Sequence, residues 1–220
     1  MLSEQLIQFY KTLQPPIIPK GFGLLHPQPS PEVMEVVKQF FNKFYADNRP
    51  RKLLLGINPG RFGAGITGVN FTAPRQLTNE CSIDHSWGNS SELSAEFIYA
   101  MINEYGGPQK FYGDYFIGAV SPLGYIKQGK NINYYDDPKL QKAVTPFIIE
   151  TIQQQLAMGF DSETCFCIGG EKNYKFLSAL NDKHKFFQKI LPLAHPRFIM
   201  QYKRKQLHEY VKEYLEAFKQ

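Results

Sequence analysis

Four short apolar runs punctuate the chain: Leu53 to Ile57, Tyr115 to Val120, Thr164 to Ile168 and Ile190 to Ala194. Each has the length of a strand covered on both faces. Each also ends in a turn that no strand can continue through: Asn58-Pro59-Gly60, Ser121-Pro122-Leu123-Gly124, Gly169-Gly170 and His195-Pro196-Arg197. Between the runs the apolar spacing becomes helical. Val33, Val36, Val37, Phe40, Phe41 and Phe44 share one face, behind Ser30 as cap and Pro31 at the first helical position. Leu207, Tyr210, Val211, Tyr214, Leu215 and Phe218 share another. Helices are also predicted over Leu2–Leu13, Ser90–Glu104, Asp137–Met158 and Glu171–Leu180. Thr145-Pro146 predicts a kink in the third of these, or a restart with Thr145 as a new cap. Gln14 to Pro31, rich in Pro and Gly, predicts a wrapping segment, Pro59 to Trp87 a long irregular loop, and Lys127 to Tyr135 a polar connection.

Strands alternating with helices predict parallel pairing. The expected fold is a three-layer α/β/α sandwich with a central, mostly parallel four-stranded sheet. It forms a single domain over residues 1–220, of which 1–30 are an N-terminal helix and wrapping segment. Parallel strands of one sheet end on the same edge, where ligands bind in open α/β sheets. The turns at Asn58, Ser121, Gly169 and His195 are therefore expected around one cleft.

Composition narrows the class. The chain has 220 residues, 43% of them hydrophobic, with 18 Phe and 13 Tyr as bulky core material. This is globular and not disordered. Cys81, Cys165 and Cys167 are too few and odd in number for a disulfide framework and predict a reducing compartment. Cys165 and Cys167 lie in an apolar run and read as core. No basic-then-apolar leader opens the chain and no stretch approaches the ~20 apolar residues of a membrane helix. A cytoplasmic protein without membrane contact is expected. The net charge of +5 is modest. Its placement is more telling: Lys203, Arg204 and Lys205 cluster close after His195 and Arg197, as a solvated helix start or a phosphate-binding edge.

The stretch Gly56-Ile57-Asn58-Pro59-Gly60-Arg61-Phe62-Gly63, followed by Thr67-Gly68-Val69-Asn70-Phe71, resembles the first motif of the uracil-DNA glycosylase superfamily. It is most similar to the single-strand-selective monofunctional (SMUG) branch, which reads G-M-N-P-G-P-F-G and then T-G-V-P-F at the same spacing. Ser121-Pro122-Leu123 resembles that branch's C-P-L segment, and His195-Pro196-Arg197 a shortened form of its second motif, H-P-S-P-R. The resemblance spans roughly Leu53 to Arg197. It implies a monofunctional DNA glycosylase of base excision repair. Such an enzyme flips uracil or another deaminated base out of the stack and hydrolyses its N-glycosidic bond with water. It implies no metal and no cofactor. No lysine stands at a strand tip to form a Schiff base, and His26, His85, His184 and His208 lack metal-ligand spacing. The partner is DNA containing a deaminated base, and a monomer is expected.

By resemblance, Asn58 positions the attacking water. An amide orients but has no useful basicity, so leaving-group stabilisation matters more. His195 is the candidate for that, donating to a carbonyl oxygen of the departing base. Phe71 would stack on the base, Gly60 would let the backbone approach the ring edge, and Phe62, Ser121 and Asn131 complete the base-binding set. Arg61, Arg197, Phe198, Lys203 and Arg204 are the DNA-binding candidates. The bland readings are a turn-capping Asn58, a structural His195 and core aromatics at Phe62 and Phe71.

The departures are specific. Arg61 replaces a proline, and Ala64 stands where the family has Met. Ala119 occupies the place of the asparagine that reads the pyrimidine edge, for which Ser121, Asn131 or Asn133 could substitute, Ser121 being best placed. Base preference is thereby open to deaminated purines. The second motif lacks its inserted Ser-Pro, so the wedge is expected to be short, formed by Arg197 and Phe198. Two other classes stay open: a catalytically inactive nucleic-acid-binding protein, and a nucleoside or nucleotide hydrolase using the same cleft.

Overall fold

The computed structural model describes all residues 1–220. Four strands, β2 (Lys52–Gly56), β3 (Tyr115–Ala119), β6 (Asp161–Ile168) and β7 (Lys189–Leu193), form one sheet in the order β3-β2-β6-β7. Every pairing in it is parallel. β3 is buried throughout, as is β2 apart from Lys52, which is why both read as continuous apolar runs. Helices cover both faces: α1 (Leu2–Thr12), α2 (Pro31–Phe44), α5 (Leu93–Tyr105), α6 (Pro108–Asp114), α7 (Pro138–Ala157), α8 (Gly170–His184), α9 (Pro196–Tyr202) and α10 (Leu207–Ala217). The three-layer α/β/α sandwich expected from the alternation is the architecture found. One core of 55 buried residues runs through it and includes Cys81, Cys165 and Cys167, all free thiols.

Three segments differ from their expectation. The Pro/Gly-rich segment contains β1 (Phe22–Leu25), and the polar connection contains β5 (Lys130–Ile132). With β4 (Gly124–Lys127) these form a second, antiparallel sheet, β1-β4-β5. β4 and β5 are joined through Gln128 and Gly129, both at positive φ (+49° and +72°), the geometry that twists a tight hairpin correctly. The long loop after β2 holds two short helices, α3 (Ala64–Thr67) and α4 (Pro74–Asn79). It is ordered by Thr67, whose hydroxyl bonds the carbonyl of Thr72 at 2.6 Å.

Capping follows the sequence in part. Asp137 caps α7, accepting from the backbone N–H of Lys139 (2.9 Å) and Leu140 (3.4 Å). Ser30 caps α2 by backbone position alone, with no side-chain bond. α7 runs through Pro146 without a restart. Thr145 bonds back to the carbonyl of Gln141 and caps nothing.

Candidate active site

The carboxyl ends of β2, β3, β6 and β7 open onto one cleft of about 370 Å³. Asn58, Ala119, Gly169 and His195 all line it, so four turns far apart in sequence do converge.

Asn58 sits two residues beyond β2. Its Nδ2 donates to the carbonyls of Pro59 (3.4 Å) and Ile132 (3.3 Å), and its Oδ1 accepts from the backbone N–H of Tyr134 (3.1 Å). The carboxamide thus ties the strand tip to the segment after β5 and is fixed in orientation. Oδ1 retains a second lone pair toward the cleft. Behind it, the Tyr134 hydroxyl donates to Asn173 Oδ1 at 2.6 Å, and Asn173 Nδ2 bonds the carbonyl of Ile168 and Cys167 Sγ, each at 3.3 Å. Asn173 is fully buried, so the segment that holds the Asn58 amide rests on an interior network.

His195 is the N-cap of α9. Its Nδ1 accepts the backbone N–H of Arg197 at 3.1 Å. In a neutral ring this places the proton on Nε2, which has no protein acceptor, and the residue lines the cleft. Burial pushes the imidazole pKa down to about 4, and the nearby Arg197 charge acts in the same direction. The group is therefore a neutral donor at physiological pH.

Phe71 lies beside His195, ring centroids 6.2 Å apart. Its backbone is left-handed (φ +52°), an uncommon conformation for a side chain this bulky. It sits over the end of β2, where a Cβ on Gly56 would come within 2.7 Å of the ring. Gly56 is the residue that makes room.

Glu92 was not foreseen. It precedes α5 as its N-cap but makes no capping bond; its carboxyl reaches the cleft beside Gly60 and Gly63 with no protein hydrogen bond. Burial raises its pKa to about 7, opposed by Arg197. Nowhere do three His, Cys, Asp or Glu side chains converge as a metal would require.

The model of the uracil DNA glycosylase superfamily matches residues 43–219, which contain this whole cleft. The chain belongs to that superfamily. Among solved structures it is similar to wild-type SMUG2 of Pedobacter heparinus, at 46% sequence identity and a TM-score of 0.95. That similarity covers 99% of this chain and 97% of the other. No curated protein sequence matches.

Of the residues expected in this superfamily member's site, Asn58, Gly60, Phe71, Asn131, His195 and Arg197 line one cleft. Two do not. Ser121 is completely buried, its hydroxyl bonded to the carbonyl of Leu123 (2.9 Å) and the hydroxyl of Tyr125 (2.8 Å); it closes the turn into β4 and does not face a base. Phe62 is 60% exposed and lies outside the cleft, with the Arg61 guanidinium 4.7 Å from its ring centroid. Asn131 lines the cleft but is spent on the motif turn: Oδ1 accepts from Arg61 N–H (3.2 Å) and Nδ2 donates to Pro59 O (3.4 Å). Phe198 is exposed on α9, 5.7 Å from the ring of Tyr202, and Lys203 and Arg204 are exposed just beyond. The Arg204 guanidinium stands 3.9 Å from Glu96. Asn70, Glu92 and Asn173 are the functional candidates that the sequence did not reveal.

Proposed function

We propose that this chain is a monofunctional DNA glycosylase that removes deaminated bases by flipping and water attack. Its membership of the uracil DNA glycosylase superfamily and its likeness to a SMUG2 protein support the class of reaction. One observation carries the residue roles: a fixed amide, a neutral imidazole donor and an aromatic ring share a single cleft at the sheet's carboxyl edge.

The chemistry follows from their protonation. As the glycosidic bond stretches, the sugar gains positive charge and the base negative charge. Asn58 Oδ1 accepts a hydrogen from a water and aims its oxygen at the anomeric carbon. It takes no proton; the growing sugar cation makes the water acidic as it attacks, the water's proton passes to solvent, and the released base anion is protonated from solvent. His195 donates Nε2–H to the anionic carbonyl oxygen of the base. A neutral donor stabilises that anion without surrendering its proton. Phe71 supplies the stacking lost when the base leaves the helix, worth roughly 1–3 kcal/mol. A single-domain monomer acting in the cytoplasm belongs to the same reading. The three free, buried thiols agree with a reducing location, and no helix is long and apolar enough to cross a membrane.

Oligonucleotides bearing uracil, hypoxanthine or xanthine, incubated with the protein and cleaved with alkali, test this reading. Alkali-labile sites are expected with at least one of them. Asn58→Ala and His195→Ala are each expected to lower the single-turnover rate by about 10²–10³. DNA binding without any abasic product would point instead to an inactive binder.

A further inference from the structure

With alanine at position 119, the end of β3 offers the cleft no side-chain group that could read the edge of a base. We propose that Asn70 does so: its Oδ1 accepts the ring N–H of the extruded base, the hydrogen that deamination of cytosine or adenine creates. The proposal rests on the base-excising reading above and adds the residue that chooses among bases.

Asn70 is 91% buried, lines the cleft and stands next in sequence to the stacking Phe71. Its Nδ2 donates to the carbonyl of Ile117 on β3 and to the hydroxyl of Tyr10 on α1, both at 3.3 Å. The Ile117 carbonyl accepts only, so it forces the amide nitrogen toward the sheet and fixes which end faces outward. Oδ1 has no protein donor. The residue therefore presents an acceptor alone, held from behind at two points.

Among the other carboxamides of the cleft, Asn58 is assigned to the water, Asn131 is occupied and Asn133 is unheld. Both ends of Asn58 and of Asn131 bond to main chain. Asn133 lines the cleft, but no group fixes which way its amide points, so it gives no preference between donor and acceptor.

An acceptor-only contact has a definite selectivity. Cytosine carries a lone pair at N3 and adenine one at N1; facing Oδ1, each is a repulsion of two acceptors. Deamination converts these positions to N3–H in uracil and N1–H in hypoxanthine. Xanthine also bears N1–H. One carbonyl oxygen thus accepts pyrimidine and purine lesions alike while rejecting the parent bases cytosine and adenine. Guanine and thymine carry this N–H natively, so the contact excludes neither of them.

The experiment compares uracil with 3-methyluracil, which keeps both carbonyls but carries a methyl group in place of the ring N–H. Free-base binding to the wild-type protein is measured first, by competition against an oligonucleotide with a tetrahydrofuran abasic analogue. Uracil is expected to compete roughly 10- to 100-fold better. Equal competition overturns the proposal without any variant, and independently of whether the protein releases bases from DNA. Excision of both bases is then compared in wild type and Asn70→Ala, with tetrahydrofuran-DNA affinity as the check on folding. The intrinsic lability of the two glycosidic bonds divides out of that comparison. The preference for uracil is expected to fall toward unity in the variant. A variant that binds tetrahydrofuran-DNA normally and keeps the wild-type preference overturns the assignment to Asn70.

Discussion

At Asn58 both amide protons go to main-chain carbonyls, so the side chain can accept from a water and cannot donate to one. Asn58→Asp, although nearly isosteric and more basic, puts an oxygen against those carbonyls. It is expected to lower stability by about 1–3 kcal/mol, read by denaturant melts. His195 and Glu92 respond to pH in opposite senses. The imidazole pKa falls from 6.5 to about 4 on folding, so its stabilising effect is complete above pH 6.5 and is lost as pH drops toward 4. The Glu92 pKa rises from 4.5 to about 7, so its contribution is complete below pH 4.5 and is lost as pH climbs through 7. Glu92→Gln is expected to raise Tm at pH 8 and leave it nearly unchanged at pH 4. Equal shifts at both pH values would count against a carboxyl protonated in the folded state. The meeting of Asn58 and His195 in one cleft could be expected from the family resemblance and the parallel strand order. The pocket-facing turn of Glu92 could not, because an acidic residue opening a helix reads as a cap whichever way its carboxyl points.

Among the elements, the four parallel strands and the long helices were legible because burial on both faces, or on one stripe, leaves a periodic trace. β1, the β4–β5 hairpin and α9 were not. β1 is four residues within a Pro/Gly-rich stretch, with only one residue fully exposed and none fully buried, and so has no alternation to read. The hairpin turns on Gln-Gly and not the stronger Asn-Gly, and α9 opens on a proline already absorbed by a motif. These short elements nevertheless carry the site: β5 and the residues after it hold Asn58, and α9 orients His195. The end of β2 shows the same economy. Gly56→Ala places a methyl against the Phe71 ring and is expected to displace it. Uracil excision should fall at least tenfold while tetrahydrofuran-DNA binding changes little. Asp137→Ala, at a residue that does not line the cleft, is expected to cost about 1 kcal/mol through loss of the α7 cap, with activity retained at 25 °C.

For the molecule as a whole, parallel topology does most of the assembling. Residues from 56 to 197 reach one edge because each strand ends there, and this much followed from strand order. The floor of the cleft did not, since Asn70 becomes a site residue only through bonds to β3 and α1 that no local pattern encodes. Arg197 lines the cleft, and Arg61, Lys203 and Lys205 are exposed, whereas Arg204 is partly neutralised by Glu96. Arg197→Ala and Lys203→Ala are each expected to reduce the slope of log affinity against log salt by about 1. Arg204→Ala should reduce it less, measured by titration of duplex DNA from low to moderate salt. The Tyr10 hydroxyl, reaching from the first helix to the amide of Asn70, carries a practical lesson. A fusion tag or a stray protease that disturbs the opening dozen residues is expected to remove one of the two bonds holding the Asn70 amide, and so to weaken discrimination among lesions measured by excision of uracil against hypoxanthine.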